Sequence, residues 1–253
     1  VSIYREPLYY EIAFSFIKPS IQIDLFEALI KQYSKIKTVS FLDIGCGPSP
    51  QLLELAKRGY RCTGLDLCPN MLKYLAGKAK AAGCRIETKK ADFTKFTLKK
   101  QFDFAMMMMG TIGYIDSAAK LVSHLKATAK ALRPGGLYLI ENFRTVRRKE
   151  RFFSPQTWML KKNNIIVKVG YKIEVRDSLR GLETETIILD VDDHGKKHLF
   201  NQKACIKIFS PQEFFQALKA TGSFEFLGWF DRETLQSTKL PKLGNYTLLR
   251  RKK

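Results

Sequence analysis

Three aspartates and a pair of glycines have the types and spacing for chemistry. In "SFLDIGCGPSPQLLELAKRG", residues 40 to 59, Asp43 precedes the turn Gly45-Cys46-Gly47; Asp66 stands nineteen residues beyond Gly47 in "GLDL", and Asp92 follows in "KKADF". A strand ending in such a turn lets the backbone approach a ligand, and the helix behind it aims free amides and a positive dipole end at that ligand. A dinucleotide fingerprint needs G-x-G-x-x-G, and its third glycine is Pro50 here. The place of Asp66 is one where a carboxylate takes ribose hydroxyls. Three acids converging on strand ends repel a diphosphate and suit a ribose-bearing ligand with cationic groups. Singly, Asp43 reads equally as a helix-cap partner, Asp66 as a strand-end turn residue and Asp92 as an Asx-turn. Together they point to one site.

Such a site needs strands that end side by side. "TVSFLDI", "YRCTGLDL", "CRIETKKADF", "FDFAMMMM" and "LYLIENF" read as strands, the fourth apolar on both faces as a central parallel strand is. Between them lie helical patterns in "PQLLELAKRG", "CPNMLKYLAGKAKAAG" and "AAKLVSHLKATAKALRPGG", and an amphipathic helix over residues 21–35 precedes the first strand. This alternation predicts a doubly wound α/β sheet with right-handed crossovers. "IIVKVGYKIEVRD", "LETETIILDVDD" and "KKHLFNQKACIKIF" then alternate apolar and polar residues, as antiparallel strands do. Ser210, Pro211 and Glu213 in "SPQEFFQALKATG" form a capping-box helix start, and "FEFLGWF" and "YTLLRRK" supply two last strands. One domain is expected, with an N-terminal helical segment (1–38), a cofactor-binding core (39–144), an antiparallel insertion or lid (145–209) and a closing helix with a strand pair (210–253).

"FLDIGCGPS", "TGLDLCPNML", "ADF", "FDFAMMMMGTIGYI" and "LRPGGLYLIENF" occur in the order of the motifs of class I S-adenosylmethionine-dependent methyltransferases. Residues 39–143 resemble that family directly, and "GTIGYI" with the following insertion resembles its small-molecule, glycine N-methyltransferase-like group. The resemblance implies a Rossmann-like seven-stranded sheet, mostly parallel with an antiparallel last strand, and S-adenosylmethionine as cofactor. It would place Gly45, Cys46 and Gly47 along the methionine moiety with Asp43 near its ammonium, and Asp66 on the ribose. Leu67 and Met71 would flank the adenine, Asp92 would accept from its amine beside Phe93, and Met108 and Met109 would sit near the methionine portion. Family members often have Gly-x-Gly-x-Gly, and Ser49 stands at the third glycine here. The segment "REPLYYEIAF" resembles one that closes over the cofactor, with Tyr10 facing the cofactor and Tyr9 the acceptor.

Methyl transfer is an in-line displacement in which the protein positions the acceptor and, for hydroxyl or ammonium acceptors, removes a proton. Candidates follow the fourth and fifth strands: Tyr114 and Glu141 as bases, and Thr111, Asn142 and Arg144 as acceptor contacts. A run of methionines at 106–109 reads also as core filling, and Glu141 as a satisfied strand-end carboxylate. His194 and His198 lie in a hairpin turn, so no metal site is expected.

Forty-four basic against twenty-four acidic residues give a formal charge of +20, with clusters at "RTVRRKER" and the terminal "RRKK". An RNA-modifying methyltransferase is therefore an alternative to a small-molecule N- or O-methyltransferase; a cofactor-binding protein without catalysis and a nicotinamide oxidoreductase stand further off. Five cysteines without CxxC spacing fit a reduced cytoplasmic protein, and no signal segment or membrane span is read. The oligomeric state is left open.

Overall fold

A computed structural model describes residues 2–143, 155–241 and 244–253. Strands β1 (Ser40–Ile44), β2 (Arg61–Asp66), β3 (Ile86–Lys90), β4 (Phe102–Met107) and β5 (Leu132–Glu141) run parallel in one sheet. Helices α2 (Pro19–Tyr33), α3 (Pro50–Lys57), α4 (Pro69–Ala81), α5 (Ala118–Ala131) and α6 (Pro211–Thr221) cover it, and a short helix α1 (Pro7–Ala13) precedes them. A second sheet holds β6 (Gln156–Lys162), β7 (Ile165–Asp177), β8 (Leu182–Asp193) and β9 (Lys196–Lys207) in sequential antiparallel order. The chain closes with β10 (Phe224–Asp231), β11 (Ser237–Thr238) and β12 (Asn245–Arg251).

The main sheet has the order β11-β10-β12-β5-β4-β1-β2-β3. The last strand, β12, is antiparallel to both its neighbours, as expected. Eight strands are described rather than seven, because the two-residue β11 folds back on β10 at the edge. Order reverses between β1 and β4, and that switch point is where open α/β sheets bind their ligands.

Burial on both faces follows from the pleat. Ala105 and Met107 of β4 point into a cluster with Leu42, Ile44, Tyr138 and Ile140, while Phe104 and Met106 point into the opposite one with Phe41, Leu137 and Leu139. The first cluster is closed by α5 and α6, the second by α2, α3 and α4. Asp103 is fully buried at the other end of β4, where it accepts from the amides of Val39 and Ser40 (3.0 Å each) and the Ser40 hydroxyl (2.8 Å). It ties the start of β1 to β4.

Two element boundaries depart from the sequence expectation. The first long helix occupies 19–33 rather than 21–35, with Pro19 opening its first turn. Helix α5 ends at Ala131, and "LRPGG", expected to end that helix, is already strand. A Cβ on Gly136 would lie 2.6 Å from the Asp103 carbonyl oxygen, so close strand approach, not helix termination, uses this glycine.

Helix α1 joins the two sheets. Ala13 accepts from the Trp158 indole (2.7 Å), and Glu11 takes the Tyr74 hydroxyl (2.5 Å) and the Lys78 ammonium of α4. Ile12 and Ala13 pack with Val167, Val169 and Leu189 of the second sheet. No helix among the described residues is long and apolar enough to cross a membrane.

Candidate active site

The turn after β1 is held by its own amides. Gly45 and Cys46 both donate to the Leu65 carbonyl (2.7 and 2.9 Å), and Gly47 donates to Asp66 Oδ2 (2.7 Å). The turn thus spends its donors on β2, and the helix behind it, expected to aim free amides at a ligand, spends its Leu52 amide on the Ser49 hydroxyl. What remains toward a ligand is oxygen, which suits a cation and not a diphosphate. Gly45 has φ +71°, and a Cβ there would meet the Thr111 methyl at 2.7 Å. The Cys46 side chain points inward instead, with Sγ against Gly64.

Asp43 is 1% exposed. Its Oδ2 accepts from the Ser49 hydroxyl (2.6 Å), while Oδ1 is buried without a partner. Burial pushes its carboxyl up to about 7, helped by the charges of Asp66 and Glu141 and opposed by Ser49. Ser49 has φ +29° and caps α3 by accepting from the Leu52 amide (3.1 Å). The left-handed backbone explains why a glycine fits this position, and the cap and the Asp43 contact explain what serine adds.

Asp66 also accepts from the Cys68 amide (2.8 Å); burial raises its carboxyl, against the lowering by these amides. Asp92 does form an Asx-turn, accepting from the amide and hydroxyl of Thr94 (2.8 and 2.7 Å). Its partial burial favours the neutral form, yet the Thr94 bonds outweigh it and hold the carboxyl below its usual range. Leu67 is 61% exposed beside Asp66, and Met71 is buried in α4. Phe93 packs against the core near Gly45, and its carbonyl is fixed by His124 Nδ1 (2.7 Å). His124, fully buried and also bonded to the Tyr138 hydroxyl (2.6 Å), is in helical phase with Leu121, Leu125 and Thr128 on the buried face of α5, and that phase was the available signal. Met108 is buried in the core, whereas Met109, with φ +55°, leads into the cavity described next.

A cavity of about 170 Å³ lies between the ends of β4 and β5 and the second sheet. Ile112, Phe143, Ile173, Ile206 and Phe209 make it apolar, and Tyr114, Asn142, Tyr171 and Glu185 give it polar groups. Tyr114 donates to Glu185 Oε2 (2.6 Å) and its oxygen lies 2.7 Å from that of Tyr4. Tyr171 donates to Glu185 Oε1 (2.9 Å). Burial drives the Tyr114 phenol far above its ordinary value, reinforced by Tyr4 and Glu185, so its proton stays in place.

Other expectations are corrected by placement. Glu141 is 3% exposed and does not line the cavity: Oε2 accepts from the Met109 amide (2.6 Å) and Oε1 faces Arg232 (3.7 Å), so it clamps the end of β4. Burial raises its carboxyl, against the lowering by Met109 and Arg232. The Thr111 hydroxyl donates to the Met108 carbonyl (2.8 Å) and its methyl covers Gly45, which turns it from the acceptor. Tyr9 donates to Asp193 (2.8 Å) and stacks near His198 and Phe200 at the far end of the second sheet. Successive helix residues point about 100° apart, so Tyr9 and Tyr10 cannot serve one site. Tyr10 packs on Tyr4 and Phe14 and feels the charges of Glu185 and Asp66. Asn142, with φ +55°, accepts from the Gly244 amide (2.8 Å) while lining the cavity. Arg144 lies outside the described residues. His194 and His198 contribute to a hairpin, His194 against Asp193 (2.7 Å).

Sequence reasoning did not single out Tyr4, Tyr171 or Glu185. Glu185 shares the parity of Ile187, Leu189 and Val191 on β8, all inward, so an acid in phase with an apolar stripe was the available signal.

The family described as "Methyltransferase domain" matches residues 41–136, the span from the glycine turn to the start of β5. Residues 41–136 thus carry a methyltransferase domain. The chain's fold is that of an S-adenosylmethionine-dependent methyltransferase from Clostridium acetobutylicum ATCC 824, with a TM-score of 0.79, 15% identity and 97% of each chain covered. The sugar N-methyltransferase KedS8 from Streptoalloteichus sp ATCC 53650 superposes with a TM-score of 0.76 at 18% identity, over 93% of this chain and 89% of that one. In sequence, the dTDP-3-amino-3,4,6-trideoxy-alpha-D-glucopyranose N,N-dimethyltransferase of Streptomyces venezuelae is 22% identical over 72% of this chain and 74% of its own. The chain spans less than half the length of other curated relatives that it matches.

S-adenosylmethionine is bound in the similarly folded CalS10, an amino pentose methyltransferase from Micromonospora echinaspora (TM-score 0.68, 19% identity, 91% of this chain and 89% of that one). The donor set fits it: an orphaned buried carboxylate oxygen on Asp43, and a turn that presents oxygen rather than amides.

Proposed function

We propose that the methyltransferase moves the methyl group of S-adenosylmethionine to a nitrogen or oxygen of a small-molecule acceptor held in the cavity under the second sheet. The observation that carries this is the turn after β1, whose amides are all engaged beside the unpartnered Asp43 oxygen, next to a largely apolar cavity. Asp43 would hold the cofactor's ammonium and Asp66 its ribose, each carboxylate oxygen keeping a second lone pair for the purpose. Leu67, Met71, Asp92 and Phe93 would receive the adenine, and Tyr10 and Met108 the methionine portion. When bound, the cofactor supplies an electrophilic methyl on a sulfonium. The chain's own part is to orient the acceptor against apolar walls and to exclude water, with Tyr114 and Tyr171 retaining their protons as donors to Glu185. A cytoplasmic setting belongs to the same proposal, with five unpaired thiols in support.

The two arginines of the tail do not support the RNA alternative. Arg250 is committed to Glu225 (2.7 Å) and the Tyr33 carbonyl (3.0 Å), and Arg251 to the carbonyls of Ala129 and Ser223 (3.1 Å each). The cluster 144–151 lies outside the described residues.

Calorimetric titration with S-adenosylhomocysteine tests the cofactor assignment. Asp66→Ala is expected to weaken binding by about 10- to 100-fold, the equivalent of one hydrogen bond to a charged group. Unchanged affinity, or binding of NAD in its stead, refutes the assignment.

A further inference from the structure

We infer that Glu185 anchors the amino group of the acceptor, which makes the substrate class a small amine that is cationic at neutral pH. This presupposes the transferase function proposed above and narrows its acceptor from nitrogen or oxygen to nitrogen: the bound ammonium gives one proton to Glu185, and the freed lone pair forms the new N–C bond as the methyl–sulfur bond breaks. Glu185 reaches the cavity from β8, and its carboxylate meets two phenols and no cation among the described residues. Two phenol protons occupy two of about four lone-pair positions on a carboxylate, leaving acceptor capacity on the cavity side.

Of the other polar groups lining the cavity, Asn142 has its oxygen engaged by the Gly244 amide, and the two phenols and Lys207 add no free cation. Tyr114 and Tyr171 direct their protons to Glu185, and the Tyr114 oxygen in turn takes the Tyr4 proton, so neither phenol proton of the pair is aimed at a ligand. Lys207 lines the cavity only with its stem: its ammonium is bound to Glu213 (3.0 Å) and to the Arg180 carbonyl (2.6 Å). A carboxylate between apolar walls and without a paired cation attracts positive charge more strongly than the same group in water. An ammonium brings three donors and no acceptor to this cluster of acceptors; a hydroxyl brings one donor. The cavity volume suits a single small ring rather than a polymer end.

The full chain is titrated calorimetrically with cyclohexylamine hydrochloride and with cyclohexanol, which share a ring and differ in the charged group. Cyclohexylamine is expected to bind at least about tenfold more tightly, a difference of about 1.4 kcal/mol. Glu185→Gln should remove that preference and leave cyclohexanol unchanged. Equal or tighter binding of cyclohexanol, failure of the amine to bind, or a preference that survives Glu185→Gln overturns the anchor. The wild-type comparison stands whether or not the variant folds. Titration of the same wild-type sample with S-adenosylhomocysteine separates the two levels: its failure to bind sinks the transferase function, whereas its binding without an amine preference sinks the anchor alone.

Discussion

Burial pushes the Asp43 carboxyl up to about 7 from 3.8, and it depresses the His124 imidazole from 6.5 to about 4, against the raising effect of the Phe93 carbonyl. These shifts act on stability in opposite senses. At Asp43 the folded chain holds a proton that the unfolded chain has lost, so its contribution is fully present below pH 3.8 and disappears as pH rises through 7. At His124 the unfolded chain holds the extra proton, so its contribution is present above pH 6.5 and disappears as pH falls through 4. Between these limits each acts with a slope of up to about 1.4 kcal/mol per pH unit, and the two oppose. Urea unfolding from pH 7 to pH 4.5 should therefore show, relative to wild type, a steeper loss of stability with acid in Asp43→Asn and a shallower one in His124→Gln. A variant whose slope matches wild type would contradict the burial of the group it replaces.

Among the elements, β5 shows most clearly how tertiary contact overrides a local signal. Pro134 and two glycines spell the end of a helix, yet Leu132 pairs with Phe102 and the strand runs on through a register shift. Gly136 is needed because the Asp103 carbonyl lies where a side chain would begin, and the backbone cannot yield without disturbing the bonds from Asp103 to Val39 and Ser40. Gly136→Ala is expected to destabilise the fold by about 1–3 kcal/mol in urea unfolding, the cost of overpacking a tight site. A change under a few tenths would mean that β4 and β5 are not so close. Helix α6 is the opposite case. Its Ser210 hydroxyl and Glu213 carboxylate do exchange reciprocal bonds with the backbone (3.1 and 2.7 Å), as four adjacent residues specified.

At the scale of the whole molecule, α1 makes the second sheet part of the core's folding unit, through Trp158 on one side and Glu11 with Tyr74 and Lys78 on the other. Trp158 lies in the second sheet and Trp229 in the main sheet, and the chain has two tryptophans. Unfolding followed by fluorescence in Trp229→Phe and in Trp158→Phe should give coincident transitions after scaling for each variant's stability by circular dichroism. A tryptophan transition displaced from its own circular dichroism curve would make the second sheet a separate unit. What the sequence determined alone was whatever a few neighbouring residues encode: the parallel sheet from alternating periodicity, the both-face burial of β4, the turn at Gly45 and Gly47, and the acids Asp43, Asp66 and Asp92 at strand ends. Tertiary structure decided the rest. Tyr4 meets Tyr114 across 110 residues, and Tyr114 meets Glu185 across 71, so the packing of the turn before α1 and of β8 settles which phenols and which acid share a cavity. The same packing withdrew Tyr9, Thr111 and Glu141 from it. Side-chain identity names the groups available for chemistry, but hydrogen-bond partners and burial are properties of pairs distant in the chain, and no local pattern carries them.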